Sequence, residues 1–473
     1  MKVLVANRGE IACRILRTLK EMGVPSVAVY TDLDAEAPHV WMADEAVPLG
    51  GPDQYLSHTA ILKAAREVGA TALHPGYGFL SQNAAFARAC AGAQVNFVGP
   101  SPEAMAALGD KRAAREVAEK HGIPVVPGAQ TCDTVEAAGA AADRVGYPIL
   151  LKAAGGGGGK GMRKVAAAAA LPDAFAAARR EAKNAFGDDR LLVEKYIFPA
   201  RHVEVQVLGD GRRAVALGER ECSLQRRYQK IIEEAPATSV SSAVRAQLAQ
   251  AAVRLVEAVG YANAGTVEFL VGPNDAFYFL EVNTRLQVEH PVTEQLMGLD
   301  IVAAQIEVAH GGALPTPPAP RGHAIEARLN AEDPAHGFLP SVGKVVGLHW
   351  PVRPQLRVDA GIAEGSVVSP QYDSLLAKII AWAPTREAAR RRLVEGLRDL
   401  ALLGLTTNQS FLLALLEAPF FKEGATFTTT VEASEWPAPE VPAYVQAAAA
   451  LAPQGVGGGA AASGPSDPHS PWR

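Results

Sequence analysis

The sequence predicts a mixed α/β and α+β protein: a doubly wound N-terminal unit, a central segment built around a glycine-rich turn and a β-hairpin, and a mixed α+β C-terminal segment. Three observations carry this. A strand–turn–helix–strand pattern opens the chain, and an apolar strand runs into the glycines of KAAGGGGGKGM (152–162). The stretch TVEFLVGPNDAFYFLEVN (266–283) alternates apolar and polar residues with period two. A chain of 473 residues is long enough for roughly two to four domains, each with its own core.

Residues 2–5 read as a short apolar strand, NRG supplies the turn, and Ile11, Ile15, Leu16 and Leu19 recur at helical spacing before a strand at 24–30. Gly9 stands alone where a dinucleotide fingerprint needs GxGxxG, which argues against NAD at this end. The alternation continues to about Pro102, with HPGYGFLSQN (74–83) as a turn-rich loop. Helix-forming sequence follows over 105–120, then a compact insertion with a strand at 147–153, the glycine run and a helix after Pro172. A long Ala/Val/Leu helix is expected over 244–259, and LPTPPAPRG (314–322) reads as a linker. Beyond it, a strand at 378–382 leads to a helix with Thr385 as N-cap and Leu393, Leu397 and Leu400 as its buried stripe.

Composition excludes several function classes. The chain is 48% hydrophobic and 20% charged, with 45 basic against 50 acidic side chains and a net charge of −5, which disfavours general nucleic-acid or membrane-surface binding. Cys13, Cys90, Cys132 and Cys222 form no CxxC pair, so neither a disulfide framework nor a zinc knuckle is expected, and a reducing cytosol fits. The N-terminus meets charge at Arg8 and Glu10 too early for a signal peptide. The uncharged stretch 441–466 is broken by Pro442, Pro453 and the glycines from Gly455, and reads as a disordered tail rather than a membrane span.

The glycine run is not a Walker A loop, because Ala154 stands where its first Gly belongs and Gly161 where Ser or Thr would hold Mg²⁺. With Lys152, Lys160 and Arg163 around it, it is either a flap closing over phosphates or a plain loop. In the hairpin, a two-residue turn at Asn274-Asp275 pairs Glu268 with Glu281 and sets Asn283 on the same face, with Phe277 and Phe279 beside Glu281. Two facing carboxylates repel by about 4 kcal/mol at about 4 Å in an effective dielectric of about 20. A hard divalent cation compensates this; exposure of both groups to water is the alternative. In TRLQVEHPVTE (284–294), Arg285 and Glu289 are expected to converge on a small anion, as binder and base. His290 before Pro291 makes no HExxH. Upstream, Arg226, Arg227 and Lys230 interleave with Glu219, Glu221, Glu233 and Glu234, a balance that suits a small-anion pocket better than nucleic acid.

ANRGEIA, HPGYGFLS, KAAGGGGGKGM, EKYI, RHVEVQV, QRRYQK, EEAP, NTRLQVEHPVTE and RLNAEDP occur in the order found in the biotin carboxylase family, which the chain resembles from residue 5 to about 433. The resemblance implies an ATP-grasp fold: an N-terminal doubly wound domain (1–110), an ATP-grasp domain (111–318) with a mobile glycine-rich lid at about 126–198, a biotin carboxylase C-terminal domain (319–443) and the tail (444–473). It implies ATP contacts from Lys111, Lys152, Gly158, Gly159, Glu194, Lys195, Tyr196, Ile197, His202, Gln225, Glu268, Leu270 and Glu281. Glu268, Glu281 and Asn283 would hold Mg²⁺ or Mn²⁺, as two ions. Lys230, Arg285, Gln287, Val288 and Glu289 would bind bicarbonate, and Arg328 would face the biotin ureido group. Lys230, Arg285, Glu289 and Arg328 form the implied catalytic set.

The implied reaction is ATP-dependent carboxylation of biotin through carboxyphosphate, with Glu289 as base toward bicarbonate and Arg328 stabilising the ureido oxyanion by about 3 kcal/mol. No Met-Lys-Met occurs, so the expected partners are a separate biotin carboxyl carrier protein and carboxyltransferase subunits. A homodimer, a cytoplasmic location and no nucleic-acid or membrane partner are expected as well. The expected role is the first half-reaction of acetyl-CoA carboxylase in fatty acid synthesis, the alternative being a propionyl-CoA or other acyl-CoA carboxylase. Two departures stand out: Tyr228 occupies a position where the family usually has His, and Gln82 replaces its usual Glu. A carbamoyl-phosphate synthetase-like ligase would lack HPGYGFLS, QRRYQK and RLNAEDP, and a non-catalytic ATP-binding regulator would have lost Lys230, Arg285 or Glu289.

Overall fold

Val3–Val5 is apolar on both faces and fully buried, as a central strand of a covered parallel sheet must be. In the computed structural model, which describes residues 1–153 and 162–436, it lies at the centre of a five-stranded parallel sheet. The order is Glu45–Gly50, Ser26–Thr31, Val3–Val5, Ala72–His74, Asn96–Phe97. The helix Gly9–Glu21 packs Ile11, Ile15, Leu16 and Leu19 into the core, the stripe its spacing predicts. The glycine run at 154–161, with Gly158 and Gly159, and the tail expected at 444–473 lie outside the described residues.

Helical sequence over 105–120 forms two helices, Pro102–Gly109 and Lys111–Lys120. Asp110 breaks them apart, because its extended backbone lets Oδ1 accept from Ala113 N at 2.8 Å and cap the second helix. Lys111 thereby becomes the first residue of a helix that opens onto the site.

The insertion forms a four-stranded antiparallel sheet ordered Gly128–Cys132, Leu191–Lys195, Ile149–Ala153, Arg163–Val165. Helices Val135–Val145 and Leu171–Phe186 cover one face of it. The largest sheet has eight antiparallel strands. Its order is Phe277–Asn283, Ala262–Val271, Arg201–Asp210, Ala214–Arg226, Gln229–Ala235, His323–Asn330, Leu375–Ala383, Leu356–Ala360. Helix Ser242–Glu257 packs on its first half, and helices Arg386–Asp399 and Gln409–Glu417 on its second. Thr385 caps Arg386–Asp399, and Leu393, Leu397 and Leu400 are buried beneath it.

The hairpin pairs Glu268 with Glu281 and Thr266 with Asn283, as its alternation predicts. Its turn is a short 3-10 segment, Pro273–Asp275, rather than a two-residue turn, and the register shifts between Glu268 and Phe269. The shift leaves Leu280 as an extra residue and reverses the facing of everything beyond it. Phe277 and Phe279 therefore do not share a face with Glu281, as the alternation suggests. They turn into the core against Phe269, and Glu281 is left on the polar face.

Candidate active site

The polar face of the large sheet carries the site. In the strand Arg201–Asp210, Val203, Val205 and Val207 enter the core while His202, Glu204 and Gln206 face the other way. Glu204 stands opposite both Glu268 and Arg220 in the ladder. Lys230 and Glu233, three residues apart on a neighbouring strand, both reach the site because a register shift at Leu224/Gln225 re-aims the strand. Arg328 comes from His323–Asn330, and Glu289 stands just before the helix His290–Met297.

Lys230 Nζ is the hub, 2.5 Å from Glu204 Oε2, 2.8 Å from Glu268 Oε1 and 2.6 Å from Glu289 Oε1. Arg328 grips Glu233 Oε1 through Nε at 2.6 Å and Glu289 Oε2 through Nη2 at 3.0 Å. Glu204, Glu233 and Glu289 are completely buried, so these cations are their compensation. Burial alone raises a carboxyl pKa, but Lys230 and His202 outweigh it at Glu268 and bring it down to about 2. At Glu204, Arg220 and Lys230 likewise hold the carboxyl well below its usual range against burial. At Glu233 burial wins over Arg328 and pushes the group up to about 7. Burial works against the ammonium of Lys230, yet three carboxylates raise it well above its ordinary value. His202, with Nε2 3.3 Å from Glu268 Oε2, is raised to about 9, the carboxylate overcoming burial.

Glu268 accepts from Asn283 Nδ2 at 2.8 Å and from Gln287 Nε2 at 3.0 Å, and Lys111 Nζ lies 2.9 Å from Glu281 Oε2. The facing carboxylates are thus each neutralised by a cation, which is the compensation their repulsion demands. Two carboxylates and an amide oxygen are a hard, all-oxygen donor set, so these residues fit a divalent cation of the magnesium type.

Lys111, His202, Lys230, Glu268, Glu281, Asn283, Arg285, Gln287, Val288, Glu289 and Arg328 all line one cleft of about 910 Å³. Lys152, Glu194, Lys195, Tyr196, Ile197, Gln225 and Leu270 are not on its wall. Of these, Lys152 is ion-paired with Glu194, and Lys195 Nζ donates to the carbonyls of Gly146 and Tyr147 at 2.8 and 3.0 Å. Leu270 pairs with His202, and Gln225 with Lys230, so each stands beside a residue that lines the cleft. Gly158 and Gly159 fall in the stretch not described.

Arg285 and Glu289 line the same cleft but are held separately. Arg285 donates to Gln287 Oε1 at 2.7 Å and Asn283 Oδ1 at 3.0 Å, whereas Glu289 belongs to Lys230 and Arg328. Of the basic group expected to form an anion pocket, only Lys230 reaches the cleft. A left-handed turn at Arg227-Tyr228 directs Arg226 over the Phe338 ring at 3.6 Å, and Arg227 N donates to Glu432. Tyr228, 49% exposed on this turn, lines the cleft, and Gln82 Oε1 accepts from Thr284 N at 3.1 Å. Sequence reasoning missed Glu204 and Arg220, and named Glu233 only among the acids interleaved with the basic group, without its partner Arg328. The alternation of RHVEVQV would have revealed Glu204, a carboxylate in register with His202 among buried valines; nothing local marks the pairing of Glu233 with Arg328 across 95 residues.

Three family models match: "Biotin carboxylase, N-terminal domain" over residues 1–105, "Carbamoyl-phosphate synthase L chain, ATP binding domain" over 110–316, and "Biotin carboxylase C-terminal domain" over 326–433. The middle model bears the name of the rival ligase, but both flanking models are those of biotin carboxylase. A biotin carboxylase of Nostoc sp. is 45% identical, the match covering 91% of this chain and 98% of the relative. The mitochondrial methylcrotonoyl-CoA carboxylase subunit alpha of Glycine max is 48% identical over 89% of this chain, which spans 59% of that subunit's length. Among solved structures, the biotin carboxylase domain dimer of Hydrogenobacter thermophilus 2-oxoglutarate carboxylase, in complex with MgADP, ADP and bicarbonate, superimposes with a TM-score of 0.88. It is 42% identical, with 91% of this chain and 97% of that chain covered. With a relative matched over almost its whole length at this identity, the chain belongs to the biotin carboxylase family of ATP-grasp ligases.

Proposed function

We propose that this chain carboxylates biotin with bicarbonate at the expense of ATP. The observation that carries the reading is the Lys230–Glu289–Arg328 chain in the cleft, two partly buried cations on one fully buried carboxylate. It joins a carboxylate fit to act as base to one cation suited to bicarbonate and one suited to a developing oxyanion. Glu289 takes the bicarbonate proton as the bicarbonate oxygen attacks the γ-phosphorus. Lys230, Arg285, Gln287 and the Val288 backbone hold the anion. ADP leaves, and carboxyphosphate then divides into CO₂ and phosphate; the phosphate accepts the biotin N1 proton as N1 bonds to the carbon of CO₂, and Arg328 faces the ureido oxygen. Lys111, Lys152, Gly158, Gly159, Glu194, Lys195, Tyr196, Ile197, His202, Gln225 and Leu270 are proposed for the nucleotide. Mg²⁺ or Mn²⁺ held by Glu268, Glu281 and Asn283 would supply charge neutralisation on the phosphates.

For the acceptor, the sequence reading puts acetyl-CoA first, and with it fatty acid synthesis in the cytoplasm. The methylcrotonoyl-CoA carboxylase relative favours the second reading, an acyl-CoA carboxylase of another substrate. A biotin carrier, carboxyltransferase subunits and a second copy of this chain are the proposed partners, the last in keeping with the dimer named for the H. thermophilus domain. Among the described residues no helix is long and apolar enough to cross a membrane. The test of the chemistry is isotopic. With ¹⁸O-bicarbonate, one labelled oxygen is expected in each phosphate released, because the bridging oxygen of carboxyphosphate stays on phosphorus. Unlabelled phosphate would mean that water, not bicarbonate, attacks ATP.

A further inference from the structure

Lys378 is fully buried, yet it is absent from the wall of the cleft. It lies on the strand Leu375–Ala383, opposite Arg328 in the ladder. Its ammonium contacts two other parts of the chain: it donates to the Val288 carbonyl at 2.9 Å and stands 3.1 Å from Glu10 Oε2. The Tyr77 ring, which lines the cleft, is 5.8 Å away. An apolar side chain would fill the same volume without the several kcal/mol that burying an ion costs, so packing alone does not require lysine here.

The carbonyl that Lys378 holds belongs to the peptide joining Val288 to Glu289. That stretch lies outside any helix or strand, so no ladder fixes the peptide plane. Glu289 follows directly on that carbonyl, so a displacement of this peptide would shift Glu289 relative to Lys230 and Arg328. Glu10 anchors the other side. It sits in the first turn of the helix Gly9–Glu21, and Gly361 presses so close that a Cβ there would lie 2.3 Å from its backbone nitrogen. Glu10 is 3% exposed and, among the described residues, neither carboxylate oxygen has a hydrogen-bond donor of ordinary geometry, so the ion pair with Lys378 is its compensation.

We propose that Lys378, anchored by Glu10, is a positioning residue that sets the Val288–Glu289 peptide and with it the direction of the Glu289 carboxylate. The inference rests on the proposed reading of Glu289 as the base toward bicarbonate. The test measures the bicarbonate KM and kcat of ATP hydrolysis, MgATP affinity and thermal stability for the full chain, K378M, K378R and the double variant E10Q/K378M. K378M is expected to raise the bicarbonate KM about tenfold or more, with MgATP affinity within about twofold of wild type. K378R, which keeps a donor and a charge, recovers part of the loss. The double variant removes both members of the Glu10–Lys378 pair together; it keeps more of the wild-type stability than K378M and retains the bicarbonate defect. An unchanged bicarbonate KM in the double variant overturns the assignment, as does a K378M defect that falls equally on ATP and bicarbonate. Wild-type hydrolysis indifferent to bicarbonate would instead overturn the reading of Glu289, and the same series distinguishes the two failures.

Discussion

At Glu289, two cations meet one carboxylate: Lys230 on Oε1 at 2.6 Å and Arg328 on Oε2 at 3.0 Å. The proposed roles of these three side chains separate experimentally. Glu289→Gln keeps the shape of the side chain and removes the base, so turnover should fall by about 10²–10⁴ with MgATP affinity nearly unchanged. Equal losses in both would remove Glu289 from the role of base. Arg328→Ala should cut carboxylation of biotin more than bicarbonate-dependent ATP hydrolysis, and two unchanged activities would take it out of the site. Most of this residue set was legible in the motifs, because each motif is a short run on one strand or loop. Its pairings were not. Arg285 and Glu289, which the sequence expects to converge on a small anion, line the same cleft, but the Arg285 guanidinium is held by Gln287 and Asn283 while a partner of Glu289, Arg328, comes from a strand 39 residues away.

Individual elements carried their own signals to different depths. Thr385 and the leucines behind it mark a helix that depends only on local spacing, and it forms as read. The hairpin is half legible: alternation pairs Glu268 with Glu281, but the shift beyond Glu268 turns Phe277 and Phe279 inward, and core packing against Phe269 decides that rather than the alternation. Asp110 is the third case, a capping residue inside a continuous helical pattern, and it makes a prediction. Asp110→Ala should lower stability by about 1 kcal/mol. It should also raise the KM for ATP, since Lys111 is the first residue of the capped helix. Asp110→Asn, which keeps the acceptor, should leave both near wild type; a KM insensitive to Asp110→Ala would detach the cap from the nucleotide site.

Across the whole molecule, the eight-stranded sheet runs from Phe277–Asn283 to Leu356–Ala360, so the strands bearing Lys230 and Arg328 are hydrogen-bonded neighbours although a proline-rich linker separates them in sequence. The N-terminal unit carries a pH-dependent contribution that spans the fold. His74 Nδ1 accepts from Gly76 N at 3.0 Å and Nε2 faces Gln305 Oε1 at 3.3 Å, so the neutral ring fits and a second ring proton would meet an N–H. Burial lowers its pKa to about 4. Between about pH 6.5 and 4 the unfolded chain then binds a proton that the folded one does not, and stability falls as pH falls through that window. Glu10 and Glu233, both pushed up to about 7 by burial, act in the opposite sense, so the test is differential. From about pH 7 to 5 the unfolding free energy of a His74→Gln variant should gain about 2 kcal/mol relative to wild type. A difference independent of pH would mean that His74 is not held neutral. Whether this chain carboxylates biotin is decided by phosphate release from MgATP by the full chain, with bicarbonate and free biotin varied independently. Release that requires bicarbonate, rises with biotin and yields carboxybiotin is the predicted result. Release that proceeds equally without bicarbonate would contradict it.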